Sequence, residues 1–441
     1  MVASSGTDSH AGDAASVPPA GEQKKLDAGA LFVLESKGSW LHCAYHLTTS
    51  IVSPALLSLP LAFASLGWAS GVACLVMGAA ITFYSYNLLS LVLEHHDQLG
   101  RRQLRFRDMA HDILVFGAAL LGGQSLKSIY LITRPEGTMK FYEFVAIFGV
   151  FMMVLAQIPS FHSLRHVNLI SLILCLAYSA CATAGSIHAG HSVGAPRRDY
   201  SLSSDSQDRS FGIFSGIAII TTTYGNGIIP EIQATAAPPV TGKMFKGLCF
   251  SYVIVIMTFF SVAISGYWAF GNQAEGSILT NFILKNNSTL VPKWFLMMTN
   301  LFVLLQLAAV GVIYLQPTNE ILERLFADPT KHQYSARNIV PRLIFRSLSI
   351  AIATLIAAML PFFGAFNAAI GAFGFLPLDF AVPSVMYNIT FKPSKRGLLF
   401  WLNTTIAIVF SILAVLGSIS AVRQIVLDAK TYKLFTNIQQ D

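Results

Sequence analysis

From about residue 40 onward, long apolar blocks almost free of charge alternate with short polar loops, and this alternation constrains the chain more than any other feature. About 20 apolar residues in a helix cross a bilayer, and only helices or closed barrels satisfy the backbone there. Eleven such blocks are read, at about 40–66, 70–94, 113–133, 141–158, 166–189, 211–237, 245–270, 294–316, 343–361, 364–389 and 398–421. Composition agrees: 12% of residues are charged, against about 25% in soluble domains. A soluble globule of this size needs a charged surface, and disordered chains are poor in aromatics, whereas this one has 32 Phe and 14 Tyr. The expected fold class is an all-α polytopic membrane protein.

Lysine and arginine counts set the expected orientation. With the N-terminus in the cytosol, 17 of them lie in inside segments and 10 in outside segments, with Lys127 and Arg346 inside spans. That bias favours a cytosolic N-terminus, and an odd number of spans then puts the C-terminus outside. The overlapping sequons at Asn286 and Asn287 fall in an outside loop, as glycosylation requires; those at Asn388 and Asn403 fall at a span end and within a span and are discounted. Residues 1–36 read as a disordered cytosolic tail without a signal peptide, and 422–441 as a short extracellular tail. The net charge of +7 belongs to topology rather than to nucleic acid. The five cysteines lie in apolar blocks without a CxxC spacing and are expected to be buried thiols. There is no P-loop, GxSxG, HExxH or Rossmann fingerprint, so neither an enzyme nor an ATP-driven pump is expected.

Two spans carry interruptions. In the first, Pro54 follows Ser50-Ile51-Val52-Ser53 and removes a backbone donor mid-span. In the sixth, Thr223-Tyr224-Gly225-Asn226-Gly227-Ile228-Ile229-Pro230 packs two glycines and a proline into six residues. Non-helical backbone at membrane depth persists only against protein or a water-filled cavity. Matching breaks at the start of each half of a ten-span unit point to an inverted-repeat transporter with a central site. The candidate substrate-binding residues are therefore Ile51, Val52, Ser53, Ala55, Thr223, Tyr224, Gly225, Asn226 and Gly227. Free amides from Ser53 to Leu56 suit a carboxylate, and carbonyls from Thr222 to Tyr224 suit an amine. Tyr224 is placed to close over the ligand.

Ionisable groups within spans are costly and become functional candidates by default. Glu231, Lys127, Asp379 and His46 are the proton-coupling candidates. Asp379, just after Pro377, also suits a bond to broken backbone, and Arg346 is read as snorkelling towards the inner surface. His42 and His46 are one turn apart, but no third metal ligand is near. Gln124, Tyr130, Asn300 and Gln306 suit either the site or interhelical bonds.

These passages resemble the amino acid/auxin permease family of proton-coupled amino acid transporters, and within it the plant GABA transporters. The resemblance is carried by His46–Ser65 (HLTTSIVSPALLSLPLAFAS), Leu121–Leu131 (LGGQSLKSIYL), the Phe161-His-Ser-Leu-Arg-His166 loop and TYGNGIIPEIQATAAPP from Thr223, and it covers about 40–430. It implies a LeuT-type 5+5 inverted repeat of about eleven helices, with the first and sixth discontinuous. The repeats run over about 40–190 and 211–389, within a transporter domain spanning 37–421 that ends in a peripheral helix at about 398–421. It implies proton-coupled import of GABA or a related small zwitterionic amino acid across the plasma membrane, with no cofactor. The stretch between Ala110 and Leu121 is shorter than the resemblance implies, and the third span lines the site in this fold. A transport-deficient or regulatory homologue is therefore the second reading, and a broad neutral amino acid, proline or auxin transporter the third.

Overall fold

The computed structural model describes residues 38–99, 110–157, 165–192, 194–237, 240, 242–284, 288–332, 334–359 and 362–431. The expected tail over 1–36, the glycosylation candidates Asn286 and Asn287 and most of the Phe161 loop lie outside the described residues. The described residues are helical throughout, with two isolated β-bridges and no strand.

The first span is α1 (Trp40–Ile51), a short 3-10 turn (Pro54–Ser58) and α2 (Leu59–Leu66). Next come α3 (Trp68–Gln98), α4 (Ala110–Thr133), α5 (Phe141–Leu155) and α6 (Arg165–His191). The sixth span is α7 (Ser206–Tyr224) and α8 (Ile229–Ala234). Then follow α9 (Lys243–Phe270), the short α10 (Ile278–Asn281), α11 (Lys293–Phe326) and α12 (Ala336–Met359). The tenth span is one rod made of α13 (Phe363–Ala369), a π-helical stretch (Ile370–Ala381) and α14 (Val382–Phe391), and α15 (Leu398–Thr431) ends the described chain. A helix overlies each of the eleven apolar blocks, and among the described residues nine spans are long and apolar enough to cross a membrane.

Burial sorts centre from rim. The apolar windows of Trp40–Leu66 and Ser206–Ala234 are 78% and 72% buried, whereas those of α12 and α15 are each 22% buried. The two interrupted spans therefore form the axis of the bundle. α1 packs on α9 and α6, and α7 packs on α2 and the π-helical stretch. The end of the bundle where α1 begins is called proximal here, and the end where α2 finishes distal. At the proximal end Gly38 N–H donates to Thr235 O at 2.8 Å and Ala237 N–H to Gly38 O at 2.8 Å, tying the start of the first span to the end of the sixth.

The shortened third span is a complete helix. The 24 residues of α4, at about 1.5 Å each, give about 36 Å, enough for a hydrocarbon core of about 30 Å. Its glycines serve close packing rather than a break: a Cβ at Gly122 would strike the Phe148 ring, and one at Gly123 would strike Val145, both on α5.

Several expectations are corrected. α15 continues to Thr431 instead of ending near 421, because no proline or glycine follows Gly417 within it and Arg423 pairs with Asp208 at 2.6 Å. Arg346 does not snorkel. It is buried, 3.2 Å from Glu323, and donates to Ala156 O at 3.0 Å, while Arg342 Nε meets the same carboxylate at 2.6 Å. Cys249 is exposed on the helix surface; Cys43 and Cys175 are buried, and none of the five cysteines is paired. The discounted sequon residues Asn388 and Asn403 bond each other at 2.9 Å, and Asn403 also accepts from Tyr84 at 2.6 Å.

The Glu323 cluster gives a stability prediction. Glu323→Gln leaves two buried guanidinium groups without a carboxylate and should cost about 3–5 kcal/mol. Thermal unfolding of the purified protein in detergent checks it: a large fall in Tm is expected, with Glu323→Asp much milder.

Candidate functional site

The first break follows from its local chemistry. Pro54 has no N–H, and α1 stops at Ile51. Val52 (φ −78°, ψ 66°) makes an inverse γ-turn, with Ser53 N–H donating to Ile51 O at 2.8 Å, and Ser53 (φ −89°, ψ 160°) is extended before the 3-10 turn starts at Pro54. In the second break α7 stops at Tyr224, Gly225 is extended (φ −61°, ψ 135°), and Pro230 lies in the first turn of α8. The second segment is buried throughout and the first is buried apart from half-buried Ser53 and Ala55, so the backbone groups released from the helical ladder need other partners.

Side chains on neighbouring helices supply those partners. Tyr178 on α6 donates to Val52 O at 3.0 Å, and Tyr86 on α3 donates to Tyr224 O at 2.8 Å. Asp379, in the π-helical stretch, accepts the Asn226 N–H at 2.8 Å. The Asn226 side chain then donates to Ser50 Oγ at 2.8 Å, joining the second break to the first. On the distal side of the breaks, Thr222 donates to the carbonyl of Asn367 on α13, and Asn367 Nδ2 donates to Ser58 Oγ at 3.0 Å. The two breaks and the tenth span therefore form one hydrogen-bonded unit.

Beside this unit lies a cavity of about 50 Å³. Ser53, Pro54 and Ala55 line it from the first break, and Thr222 from the end of α7. α4 contributes Gly117, Ala118 and Leu121, and α11 contributes Leu307, Val310 and Gly311. The tenth span closes it with Phe363, Asn367 and Ile370. Among the described residues, no ionisable side chain lines it. Ala55 sits in the first turn of a helical segment, where the N–H has no intrahelical acceptor, so this wall presents a positive helix end.

The predicted residues are thus divided. Ser53 and Ala55 reach the cavity. Ile51 and Val52 are buried behind it, and Thr223 Oγ1 bonds back to Ile219 O. Asn226 braces the breaks, and Gly225 lies against the Phe375 ring, which leaves no room for a side chain. Gly227 is buried in the turn. Tyr224 does not form a lid: its hydroxyl donates to Leu75 O at 2.9 Å, and its ring packs on Phe259 with centroids 4.9 Å apart. The amides of Ser53 and Leu56 bond within the break, to Ile51 O and Ser53 O.

Of the coupling candidates, Glu231 is fully buried in the first turn of α8, Asp379 is bound to the Asn226 amide, His46 is buried on α1, and Lys127 is half-buried on α4. Gln306 on α11 accepts from Ser171 on α6 at 2.8 Å, an interhelical bond rather than a site contact. The residues that sequence reasoning missed at the cavity are Gly117, Ala118, Gly311, Phe363 and Asn367. Apart from the polar Asn367 they are small or apolar, and all are set in ordinary helical runs that carry no local signal.

An all-helical membrane bundle with two broken central helices around an uncharged internal cavity is the architecture of a solute transporter. The family described as "Transmembrane amino acid transporter protein" matches residues 36–123 and 114–424, and this chain belongs to it. It is 59% identical to GABA transporter 1 of Arabidopsis thaliana, over 94% of this chain and 97% of that protein. It is 28% identical to Lysine histidine transporter-like 1 of Arabidopsis thaliana, over 94% of each chain. Among solved structures, a Na+-coupled sialic acid symporter aligns at 12% identity and a TM-score of 0.46, covering 93% of this chain and 94% of that one. The Arabidopsis GABA transporter alignment spans 437 positions while taking in 94% of this chain, or about 415 residues, so about 22 of its positions face a gap here. The family match restarts at residue 114, in α4.

Gly225→Ala tests the close approach of the second break to the tenth span. The added methyl meets Phe375 and should cost about 1–3 kcal/mol. Denaturation in detergent checks it, and Phe375→Leu in the same chain should recover much of the loss.

Proposed function

We propose that this chain is a secondary active symporter that imports GABA or a related small zwitterionic amino acid across the plasma membrane, driven by protons. The single observation that carries this reading is the cavity at the first break, with a helix N-terminus on one wall and no ionisable side chain among its described lining residues. A neutral zwitterion needs a donor set for its carboxylate and acceptors for its amine, but no fixed counter-charge. A dibasic amino acid would bring a second ammonium group into a low-dielectric cavity without a carboxylate, a costly placement. The similarity to GABA transporter 1 supports GABA itself. Lysine and arginine bias supports a cytosolic proximal face and an extracellular distal face.

Protons need a buried group that changes charge during the cycle. Among the described residues the buried carboxylates are Glu231, Glu323 and Asp379. Glu323 is held by Arg342 and Arg346. Glu231 and Asp379 flank the second break, one in α8 and one bonded to Asn226, and they are the coupling residues in this reading. The gap at the third span favours, as the alternative, a homologue that no longer transports. Against that stands an α4 that is whole and lines the cavity.

In proteoliposomes under an inward acid gradient, labelled GABA should accumulate and lysine should not compete. Failure to accumulate any neutral amino acid, with ligand binding retained, favours the non-transporting alternative. Glu231→Gln should flatten the pH dependence of uptake while leaving GABA binding within a few-fold; an unchanged profile moves coupling to Asp379. Gly227→Val should abolish uptake without loss of expression, because a β-branched residue restricts the backbone of the buried turn between α7 and α8.

A further inference from the structure

A second, larger cavity of about 590 Å³ opens at the distal end of the bundle. Its walls come from α2, α4, α7, the segment before α10, the start of the tenth span and the last turns of α15. The two cavities lie in line along two helices. On α7, Ile219 faces the distal cavity and Thr222 the inner one, and on α4, Gln124 and Leu121 divide the same way. Among the described residues one, Phe363, lines both. It is 4% exposed and opens the first turn of α13.

We propose that Phe363 is the partition between the distal vestibule and the substrate cavity, and that displacement of this first turn opens the site to the distal face. The inference rests on the transporter reading for the ligand, but the barrier itself follows from geometry. Next to Phe363, Gly364 lies against the backbone of Gly276, and a Cβ on Gly364 would strike Leu61 at 2.7 Å. The partition is therefore seated between the segment before α10 and α2, where a Cβ on Gly276 would press on the Gly364 backbone N at 3.0 Å. A competing barrier is the ion pair Arg423–Asp208 on the vestibule wall. Its side chains are 30% and 51% exposed, so water and salt weaken it, and it does not line the inner cavity. The aromatic ring, not the ion pair, separates the two spaces.

The test is thiol accessibility. None of the five native cysteines lines either cavity, so the unsubstituted protein is the blank. Ala118→Cys places a thiol in the inner cavity and Ser65→Cys one in the vestibule. A membrane-impermeant methanethiosulfonate reagent is added from the distal side of full-length protein in oriented vesicles. Ser65→Cys should react quickly with or without Phe363→Ala. Ala118→Cys should react slowly, then about tenfold faster or more once Phe363→Ala is added, as expected when local opening becomes easier. Phe363→Leu should restore most of the slow rate. Equal rates at Ala118→Cys in both backgrounds overturn the proposal, as does an equal acceleration at Ser65→Cys, which marks general loosening. GABA should slow labelling of Ala118→Cys. Loss of that protection with the rate difference intact would overturn the choice of ligand and leave the partition standing.

Discussion

Backbone released from a helix at membrane depth must find other partners, and the rest of this structure depends on how that requirement is met. Two interruptions free carbonyls and amides in the most buried part of the bundle. Tyr178, Tyr86 and Asp379 each satisfy one of them from a different helix. Asn226 and Asn367 then link the breaks to each other and to the tenth span. An unpaired buried group costs about 1–3 kcal/mol, so these bonds specify where the broken segments sit. The cavity is the space left beside a backbone that is otherwise satisfied.

Charge is handled by separation. The Glu323–Arg342–Arg346 cluster joins α11, α12 and the end of α5, away from the cavity. Asp379 spends one oxygen on a backbone amide of the second break, so a change in its protonation would act on the hinge between α7 and α8. That places a titratable group against the element whose movement alternating access requires. Among the described residues the cavity wall carries no ionisable side chain and is made of a helix end and small or apolar side chains.

The breaks were legible because their cause is local. Proline lacks a donor and glycine tolerates extended backbone whatever surrounds them, so Pro54 and Gly225 marked the axis of the bundle in advance. Asp379 was legible as a bond to broken backbone for a similar reason, a carboxylate just after Pro377 in an apolar run. The direction of a side chain is a different matter. Tyr224 sits inside the most informative motif, yet its ring turns to α3 and α9, because Gly78 on α3 leaves a slot for it. Arg346 read as snorkelling because its partner Glu323 lies 23 residues earlier on another helix. Gly122 and Gly123 of α4 are contact points with α5, which depends on the pair of helices rather than on the segment alone.

Sequence alone determined that the chain crosses a membrane repeatedly, that its first and sixth spans are interrupted, and that the interruptions enclose polar backbone. Hydrophobic length and backbone covalent chemistry are properties of short segments, so no distant residue is needed to read them. Tertiary structure alone decided which residues meet at the cavity, which carboxylates are taken by partners and what separates the cavity from the distal vestibule. Those depend on the rotation and depth at which helices distant in sequence pack, and packing is a property of pairs of surfaces that no single segment contains.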